Sequence, residues 1–424
     1  MFESTSILKK RKLINFQRNN NIHIFISPIT IIPVILVLIS SILIFSIQKQ
    51  TIYNDSSKHI FSGFIGYFIA IMISYIPLEK FKKFIIPFYL LSLLSLVLIY
   101  FIGISNYGAQ RWLGLGLFTF QPSEIAKLTT VFSLAAVLEK KNKICSFRDL
   151  LTPFVIVLLP WILIFLQPDL GTSLVLIFCF LVMLYWAQIP IEWILIFTCC
   201  LLTALFSFTY SNILILWIPL MGFLAFKSFK AKKIATFLVV VLHGFVAQIT
   251  PFLWEFVLKG YQKDRLILFL DPGRDPLGGG YHLLQSKIGI GSGGFFGTGL
   301  LRGKLTNLQF IPEQHTDFIF SAAGEEMGFI GSIFIVSLFL IFIIFLLRIA
   351  KNARTDFESL LVIGIASIFL FQIIINIYMT IGLGPVTGIP LPFMSYGRTS
   401  LFVNFIFIGI ALSTLKRSIS LRKK

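Results

Sequence analysis

The run ISPITIIPVILVLISSILIFSI, residues 26–47, carries no charged side chain over a length that crosses a membrane as a helix. Further apolar runs of similar character follow along the chain. They lie near 60–78, 84–103, 123–139, 151–166, 171–187, 191–209, 212–226, 234–254, 318–347, 357–382 and 400–415. The sequence therefore predicts an all-α fold, a polytopic transmembrane helix bundle of about 10 to 12 spans.

The composition agrees with a membrane protein. Hydrophobic residues make up 57% of the chain and charged residues only 13%, about half the share of a soluble domain. The net charge of +18 could suggest a nucleic-acid partner. The basic residues argue against that partner, because they collect between alternate spans.

Basic side chains are concentrated in the two tails and in four of the connections between spans. They are Lys9, Lys10, Arg11, Lys12, Arg18, Lys80, Lys82, Lys83, Lys140, Lys141, Lys143, Arg148, Lys227, Lys230, Lys232, Lys233, Arg348, Lys351, Arg354, Lys416, Arg417, Arg422, Lys423 and Lys424. These are 24 of the 36 basic residues, and basic loops face the cytoplasm. The pattern predicts a cytoplasmic tail over 1–25, a transmembrane domain over 26–415, a basic cytoplasmic tail over 416–424 and an extracytoplasmic loop over about 255–317.

The N-terminal segment has no cleavage pattern, so the first span is predicted to be a helix anchor and not a removable signal. The four cysteines have no metal-ligand spacing and suit apolar packing. The chain lacks a Walker A sequence, an HExxH motif and a haem attachment motif. A reaction on the outer face would therefore need a substrate that is already activated.

A polar, glycine-rich segment interrupts the apolar pattern and is the expected place for chemistry. It begins LDPGRDPLGGGYHLLQSKIGIGSGGFFGTG (270–299) and ends PEQHTDFIFSAAGEEMGFIG (312–331). Apolar anchoring helices need no such loop, and binding residues are often carried on loops. The adjacent carboxylates Glu325 and Glu326 are hard to explain by packing, because like charges repel. His315 beside Asp317 suits a local hydrogen-bonded pair.

Three smaller polar clusters are predicted on the same side of the membrane. They are NYGAQRWLGLGLFTFQPSEIAKL (106–128), QPDLGTS (167–173) and GPVTGIPLPFMSYGRTS (384–400). Glu124 and Lys127 share a helix face and can pair, which would equally well hold helices together. Asp169 could simply cap the next helix, and Arg111 next to Trp112 could be an interfacial anchor.

These motifs resemble those of the SEDS family (shape, elongation, division and sporulation) from about Gly108 to Gly397. The matching motifs are GAQRW, QPSEIAKL, QPDLGTS, DPLGGGYHLLQSKIGIGSGGFFGTG, PEQHTDFIF, GEEMGFIG and GIPLPFMSYG. The motifs YHLLQSKI and VTGIPLPF resemble those of the family's elongation branch more than those of its division branch. The resemblance implies a glycosyltransferase that extends peptidoglycan strands from lipid II, a disaccharide-peptide linked through pyrophosphate to undecaprenol.

The resemblance also implies which residues act. Asp275, before PLG, matches the family's essential carboxylate, and we expect it to take the proton from the acceptor hydroxyl. Asp271 is the competing carboxylate. Substrate binding is expected of Arg111, Trp112, Glu124, Lys127, Asp169, Gln285, Lys287, His315, Ser395 and Tyr396. Arg111 and Lys127 would face the phosphates.

A divalent cation, Mg²⁺ or Mn²⁺, is a possible cofactor, with Glu124 and Asp169 as its ligands. The expected partners are lipid II, the bilayer and a class B penicillin-binding protein, a transpeptidase. Two features depart from the family pattern: SYGRTS puts Arg398 where glycine is usual, and 210–255 is long enough for two extra spans. A lipid II flippase, a scaffold and a division-type polymerase remain alternatives.

Overall fold

The structure is a computed structural model that describes residues 27–49, 55–106, 109–115, 118–140, 147–229, 231–257, 260–271, 275, 280–308, 310–311 and 313–421. Its helices are α1 Pro28–Ile47, α2 Asp55–Ser74, α3 Ile85–Ile102, α4 Pro122–Lys140, α5 Phe147–Leu166, α6 Leu170–Trp186, α7 Ile191–Thr209, α8 Leu214–Ser228, α9 Lys232–Phe252, α10 Gly260–Leu270, α11 Tyr281–Ser292, α12 Lys304–Asn307, α13 Ile319–Lys351, α14 Asp356–Ile381 and α15 Arg398–Leu421. Short 3-10 turns at Leu78–Phe84 and Ser211–Ile213 and a π turn at Leu253–Val257 join some of them. The predicted all-α class is confirmed.

Each of the twelve predicted spans is a helix in the structure. Ten helical segments of the described chain are long and apolar enough to cross a membrane. The other two are α4, which carries Glu124 and Lys127, and α6, which has 17 residues and follows Asp169. Both helices thus begin beside polar groups of the predicted site, α4 being the less apolar of the two and α6 being one residue too short.

Ion pairs at one end of the bundle support the predicted alternation of the connections. Lys82, in the turn between α2 and α3, lies 2.7 Å from a carboxylate oxygen of Glu139 at the end of α4. Arg417, near the end of α15, lies 3.0 Å from Glu358 at the start of α14. We call this the basic end and the opposite one the loop end. The boundary predicted at residue 415 falls inside α15, whose helix continues to Leu421.

A small antiparallel sheet lies at the loop end between α3 and α4. Its strands are β1 Ile104–Asn106, β2 Ala109–Leu115 and β3 Phe118–Phe120, in the order β1-β2-β3. Trp112 of β2 is opposite Ile104 of β1. The sheet fixes Arg111 above the bundle, because the strand pairing sets the register of its neighbours.

The centre of the bundle is formed by α14 and α15, and their packing is aromatic. The Phe369 ring meets those of Phe342 and Phe407 edge to face and that of Phe393 at a tilt, with ring centroids 5.3 to 5.8 Å apart. About three quarters of each central span is buried, against 17%, 17% and 11% for α7, α8 and α9. The predicted extra hairpin is therefore a peripheral unit.

The peripheral unit has a polar interior of its own. His243 of α9 is fully buried, and its Nδ1 lies 2.6 Å from Thr203 Oγ1 of α7. Trp217 of α8 donates to the same hydroxyl at 3.0 Å. These bonds satisfy polar groups that would otherwise be costly in an apolar medium, so the three helices are held to one another.

The predicted extracytoplasmic loop, 255–317, contains α10, α11 and α12. The predicted tail over 1–25 lies outside the described residues, as do 422–424 and the glycines Gly278 and Gly279.

Candidate functional site

Arg265 and Asp317 meet at the loop end, beside the backbone of the fourth polar cluster. Arg265, on α10, donates from Nη1 to Thr387 O at 3.2 Å. A Cβ placed on Gly388 would lie 3.3 Å from Asp317 Oδ2 and 3.7 Å from Arg265 Nη1. The φ of +72° at Gly388 favours glycine for a second reason. A side chain at this position would crowd the Asp317 carboxylate and contact Arg265.

Arg111 and Asp169 form the other half of this charge cluster, which we define as Arg111, Asp169, Arg265 and Asp317. Arg111 Nη1 lies 3.9 Å from Asp169 Oδ1, and Nη2 donates to Pro168 O. Asp169 also caps α6, accepting from Thr172 N at 3.3 Å and from Thr172 Oγ1 at 2.8 Å. Asp169 therefore has the predicted capping role and contacts Arg111 as well.

The electrostatics join the two halves. Burial raises the pKa of Asp317 to about 6, while the charges of Arg265 and Arg111 act to lower it and those of Glu313 and Asp169 act to raise it. A cluster in which a carboxylate and two guanidinium groups influence one another is suited to an anionic ligand, because the ligand can take over the guanidinium charges.

His282, on α11, borders the cluster. Its ring stacks on Phe318, with centroids 6.2 Å apart, and its Nδ1 is buried with no hydrogen-bond partner among the described residues. Burial lowers the pKa of His282, and the charge of Arg265 lowers it further. The imidazole is therefore neutral at pH 7.

Glu124 and Lys127 form a buried ion pair in the first turns of α4. Lys127 Nζ lies 2.7 Å from Glu124 Oε1, and the two residues are 1% and 2% exposed. Glu124 Oε2 is buried and has no hydrogen-bond partner in the part of the chain that the structure describes. The predicted pairing is confirmed, but the burial of Lys127 argues against direct contact with phosphate in this conformation.

Asp275 is exposed and lies between the two helices of the loop. Its carbonyl accepts from Gly280 N at 3.0 Å, just before α11 begins. Asp271, the competing carboxylate, is exposed at the end of α10. Asp275 is thus ten residues from Arg265 and seven from His282 along the chain.

Two other predicted substrate-binding residues lie on α11. Gln285 is half-buried and Lys287 is exposed. A Cβ on Gly382, the left-handed cap of α14 with φ +80°, would collide with Lys287 Cε. The Lys287 side chain therefore lies along the end of α14, at the loop end of the bundle.

The fourth polar cluster is held in place by its own side chains. Ser395 is buried, and its hydroxyl accepts from Leu391 N at 2.7 Å. Tyr396 donates from its hydroxyl to Asp55 at 3.0 Å and from its backbone N to His315 O at 2.9 Å. Ser395 and Tyr396, predicted to bind substrate, thus brace this segment against α2 and the residues before α13. The His315 ring lies 5.7 Å from that of Tyr396.

The glycines of the long loop pack against α13 instead of forming an open phosphate-binding loop. A Cβ on Gly297 would collide with Glu326 O, and one on Gly328 would collide with Gly297 N. Gly328, with φ +67°, breaks α13 at this point. The close approach fits the general use of glycine where two backbones meet. At Gly291 and Gly294, by contrast, a Cβ would meet open space.

Glu325 and Glu326 are explained by this packing. Glu325 accepts from Leu305 N and Thr306 N, each at 2.9 Å, and from Thr306 Oγ1 at 2.6 Å. Glu326 accepts from Leu301 N at 3.2 Å and from Ser46 Oγ. The two carboxylates point to different donors, so their repulsion is offset by hydrogen bonds.

The sequence-based prediction missed Arg265 and gave Asp317 only a local role. The signal for Arg265 is weak: in GYQKDRLILFL (260–270) a charged stretch precedes an apolar one inside a region predicted to be a loop. A helix there follows from its apolar residues, but its placement against 387–388 depends on the packing of distant segments.

The donor set does not fit a divalent cation bound by protein groups alone. No group of three His, Cys, Asp or Glu among the described residues is placed to hold a metal ion. Of the predicted ligands, Glu124 is engaged by Lys127, and both oxygens of Asp169 accept from Thr172.

The chain is similar to proteins of a known family. The model of a family of cell cycle proteins, FtsW, RodA and SpoVE, matches residues 19–238 and 196–419. The peptidoglycan glycosyltransferase MrdB of Escherichia coli K12 is 34% identical over 378 residues, 89% of this chain and 90% of that protein. The peptidoglycan glycosyltransferase RodA of Treponema pallidum is 33% identical, over 88% of this chain and 92% of that protein.

A division-type relative and two solved structures are also similar. A probable peptidoglycan glycosyltransferase FtsW of a Geobacter species is 32% identical, over 88% of this chain and 87% of that protein. One solved structure is a chain of a peptidoglycan synthase complex that coordinates polymerization and crosslinking. It superposes with a TM-score of 0.70 at 25% identity, covering 92% of this chain and 97% of that one. The rod shape determining protein RodA of Thermus thermophilus shares the fold, with a TM-score of 0.60 at 22% identity and coverage of 92% and 95%.

Proposed function

This chain belongs to the SEDS family and is a multi-pass membrane glycosyltransferase, and we propose that it polymerises peptidoglycan strands from lipid II during cell elongation. The observation that carries the proposal is the charge cluster. Arg111 and Arg265 come from segments far apart in sequence and lie at the loop end, on the same part of the molecule as Asp275.

The proposed reaction joins two sugars. Asp275 takes the proton from the acceptor hydroxyl, and the hydroxyl oxygen attacks the anomeric carbon of a lipid-linked sugar. The bond from that carbon to the pyrophosphate oxygen breaks, and the bonding electron pair leaves with the lipid pyrophosphate. Arg111 and Arg265 stabilise the negative charge that develops there, because guanidinium groups bind phosphate oxygens in a bidentate manner.

Asp317 and His282 lie beside Arg265, and the half-buried carboxylate of Asp317 has a role in positioning that guanidinium. Asp317 holds Arg265 beside Gly388 until substrate arrives. When phosphate binds, it competes for the same guanidinium. Asp317 would thus act as a positioning residue, while Asp275, being exposed, remains accessible to an acceptor sugar.

A divalent cation is a further proposal. Glu124 Oε2 accepts no hydrogen bond from the residues described by the structure, but it is buried beside Lys127. A bound cation would therefore need most of its ligands from the substrate phosphates and from water. It would supply further charge neutralisation for the leaving pyrophosphate.

The proposed location is the bacterial cytoplasmic membrane, with Asp275 on the extracytoplasmic face. The argument is the distribution of basic residues at the opposite end of the bundle. A cysteine at Thr316 should react with a membrane-impermeant thiol reagent in whole cells, and one at Lys351 should not. If only the Lys351→Cys variant is labelled, the chain has the opposite orientation in the membrane.

The proposed partner is a class B penicillin-binding protein, which would crosslink the strands. Support comes from the synthase complex that shares this fold and coordinates polymerization with crosslinking. The alternative of a lipid II flippase is less well supported, because the relatives named above are glycosyltransferases. The division role remains the second candidate, since the FtsW relative is nearly as similar.

The deciding experiment is polymerisation of labelled lipid II by the purified chain with its penicillin-binding partner. We expect polymer from the native chain and from Asp271→Ala, and none from Asp275→Ala. A parallel reaction with a chelator tests the cation. Polymer made at the native rate by Asp275→Ala would remove the base assignment. No polymer from the native chain, with the partner bound, would favour transport or scaffolding.

A further inference from the structure

An apolar patch is exposed on the loop that follows α11. It consists of Phe295, Phe296, Leu300 and Phe329, which are 62%, 81%, 49% and 53% exposed. The ring of Phe295 lies 5.9 Å from that of Phe296 and 5.3 Å from that of Phe329. We call these four residues the aromatic patch. Exposed aromatic clusters of this kind mark contact surfaces, because they are costly to leave in water.

Hydrogen bonds fix the height of the patch along α13. Thr298 N donates to Glu325 O at 2.9 Å and Gly299 N to Glu326 O at 3.1 Å, while Phe329 N donates to Gly294 O at 3.0 Å and Ile330 N to Phe295 O at 3.2 Å. The loop therefore lies alongside residues 325–330 of that helix. Phe295 and Phe296 are level with residues 328–330, at about its third turn.

That level is the edge of the apolar part of α13. The segment 328–347 has no charged side chain and ends before Arg348. At a rise of about 1.5 Å per residue it is about 30 Å long, which equals the thickness of the hydrocarbon core of a bilayer. Gly328 and Phe329 thus lie at one boundary of the core, and the aromatic patch lies there with them.

The loop cannot easily move away from this position. Gly297 and Gly328 are in direct backbone contact, and a Cβ on either would collide with the other segment. The buried carboxylates of Glu325 and Glu326 bind the backbone at Thr306 and Leu301. The patch is therefore presented by a rigid support.

Cationic side chains follow the patch directly. Arg302 and Lys304 are both exposed. Aromatic rings prefer the interfacial layer of a bilayer, and basic side chains beside them can reach the phosphates of lipid headgroups. The order of residues, aromatic and then basic, matches the order of layers that a lipid surface offers.

We propose that residues 294–302 form an interfacial membrane anchor. The aromatic patch inserts at the boundary between acyl chains and headgroups, and Arg302 and Lys304 contact headgroup phosphates. The anchor holds α11, and with it the segment that carries Asp275, at a fixed depth on the membrane surface. The inference uses only the packing of the loop on α13, so it does not depend on the proposed reaction.

The depth of a spin label tests the anchor. Phe296→Cys, in a chain whose four native cysteines are replaced by Ala, is labelled with a nitroxide in lipid nanodiscs. Thr316→Cys, before α13, is the control for water, and Leu340→Cys, exposed in the middle of α13, is the control for the hydrocarbon core. We expect the ratio of oxygen to nickel-chelate accessibility to rise several-fold from Thr316 to Phe296 and again to Leu340.

Two outcomes of the labelling would overturn the proposal. A ratio at Phe296 equal to that at Thr316 would leave the patch in water. A label at Phe296 that neither reagent reaches would mean that another protein chain covers the patch.

Amide hydrogen exchange gives a second test that does not use a label. The double variant Phe295→Asn and Phe296→Asn should raise the exchange rate of amides in 294–302 at least tenfold, since their burial at the interface is lost. Phe310→Asn, an exposed aromatic outside the patch, should not change it. Unchanged exchange in α14 reports that the bundle remains folded. Equal exchange in 294–302 of the double variant and the native chain would refute the anchor.

Discussion

Removing one charge from the buried pair in α4 should destabilise the protein far more than removing both. Lys127 Nζ lies 2.7 Å from Glu124 Oε1, and the side chains are 2% and 3% exposed. Glu124→Gln leaves an ammonium group buried without a counter-charge, which costs about 3–5 kcal/mol. Glu124→Gln with Lys127→Met leaves no charge to bury. We expect the free energy of unfolding of the double variant to lie within about 1 kcal/mol of that of the native chain.

The free energy of unfolding can be measured by denaturant titration in mixed micelles, followed by tryptophan fluorescence. Lys82 and Glu139 are the matched control, because their distance is also 2.7 Å but their side chains are 31% and 25% exposed. Glu139→Gln should cost no more than about 1 kcal/mol. The reasoning fails if Glu124→Gln costs as little as that control, or if the costs of the two single changes add up in the double variant.

The same double variant decides what the pair does for activity. Because Lys127 is 1% exposed and paired, we expect the folded double variant to polymerise lipid II at nearly the native rate. A stable double variant that makes no polymer would show that Lys127 contacts the phosphates, as the sequence motif suggested.

Three further predictions concern the loop end. Gly297→Ala should lower the free energy of unfolding by about 2–4 kcal/mol, since its Cβ would collide with Glu326 O at a left-handed φ of +83°, and thermal denaturation measures this. The pKa of Asp317 is raised to about 6 in the folded protein, so folding favours the protonated carboxyl. The free energy of unfolding should therefore fall as the pH rises through 6, and Asp317→Asn should remove that pH dependence. Arg265→Gln should slow polymerisation at least tenfold, whereas Lys263→Gln on the same helix should not, and equal rates would exclude Arg265 from phosphate binding.

The spans could be predicted because each depends on local composition. A run without charge, such as 26–47, has to satisfy its backbone internally in a membrane, and only a helix does this within one segment. Alternating basic connections then gave the side of each loop. Glu124 and Lys127 could be paired for the same reason, since a spacing of three residues on a helix is itself a distance.

The rest of the site depends on contacts between distant segments. Ser395 looked available for substrate, but its hydroxyl accepts from Leu391 N, a bond that no spacing rule announces. The adjacent glutamates looked like a functional pair until the fold put the donors of Thr306 and Leu301 against them. Arg265 was missed because its neighbour Thr387 is far away in the sequence.

The charge cluster follows from the parity of the helices. Arg111 comes after α3, Asp169 after α5, Asp317 before α13 and Thr387 after α14, so each is at a connection on the same end of an antiparallel bundle. No one of these connections has enough charge to bind a pyrophosphate alone. Their convergence requires the central helices to be packed correctly, and a change deep in the aromatic core, such as Phe369→Ala, should therefore weaken substrate binding without altering any residue that contacts substrate. If Phe369→Ala lowers stability but leaves the KM for lipid II unchanged, the cluster is held by the loops and not by the bundle.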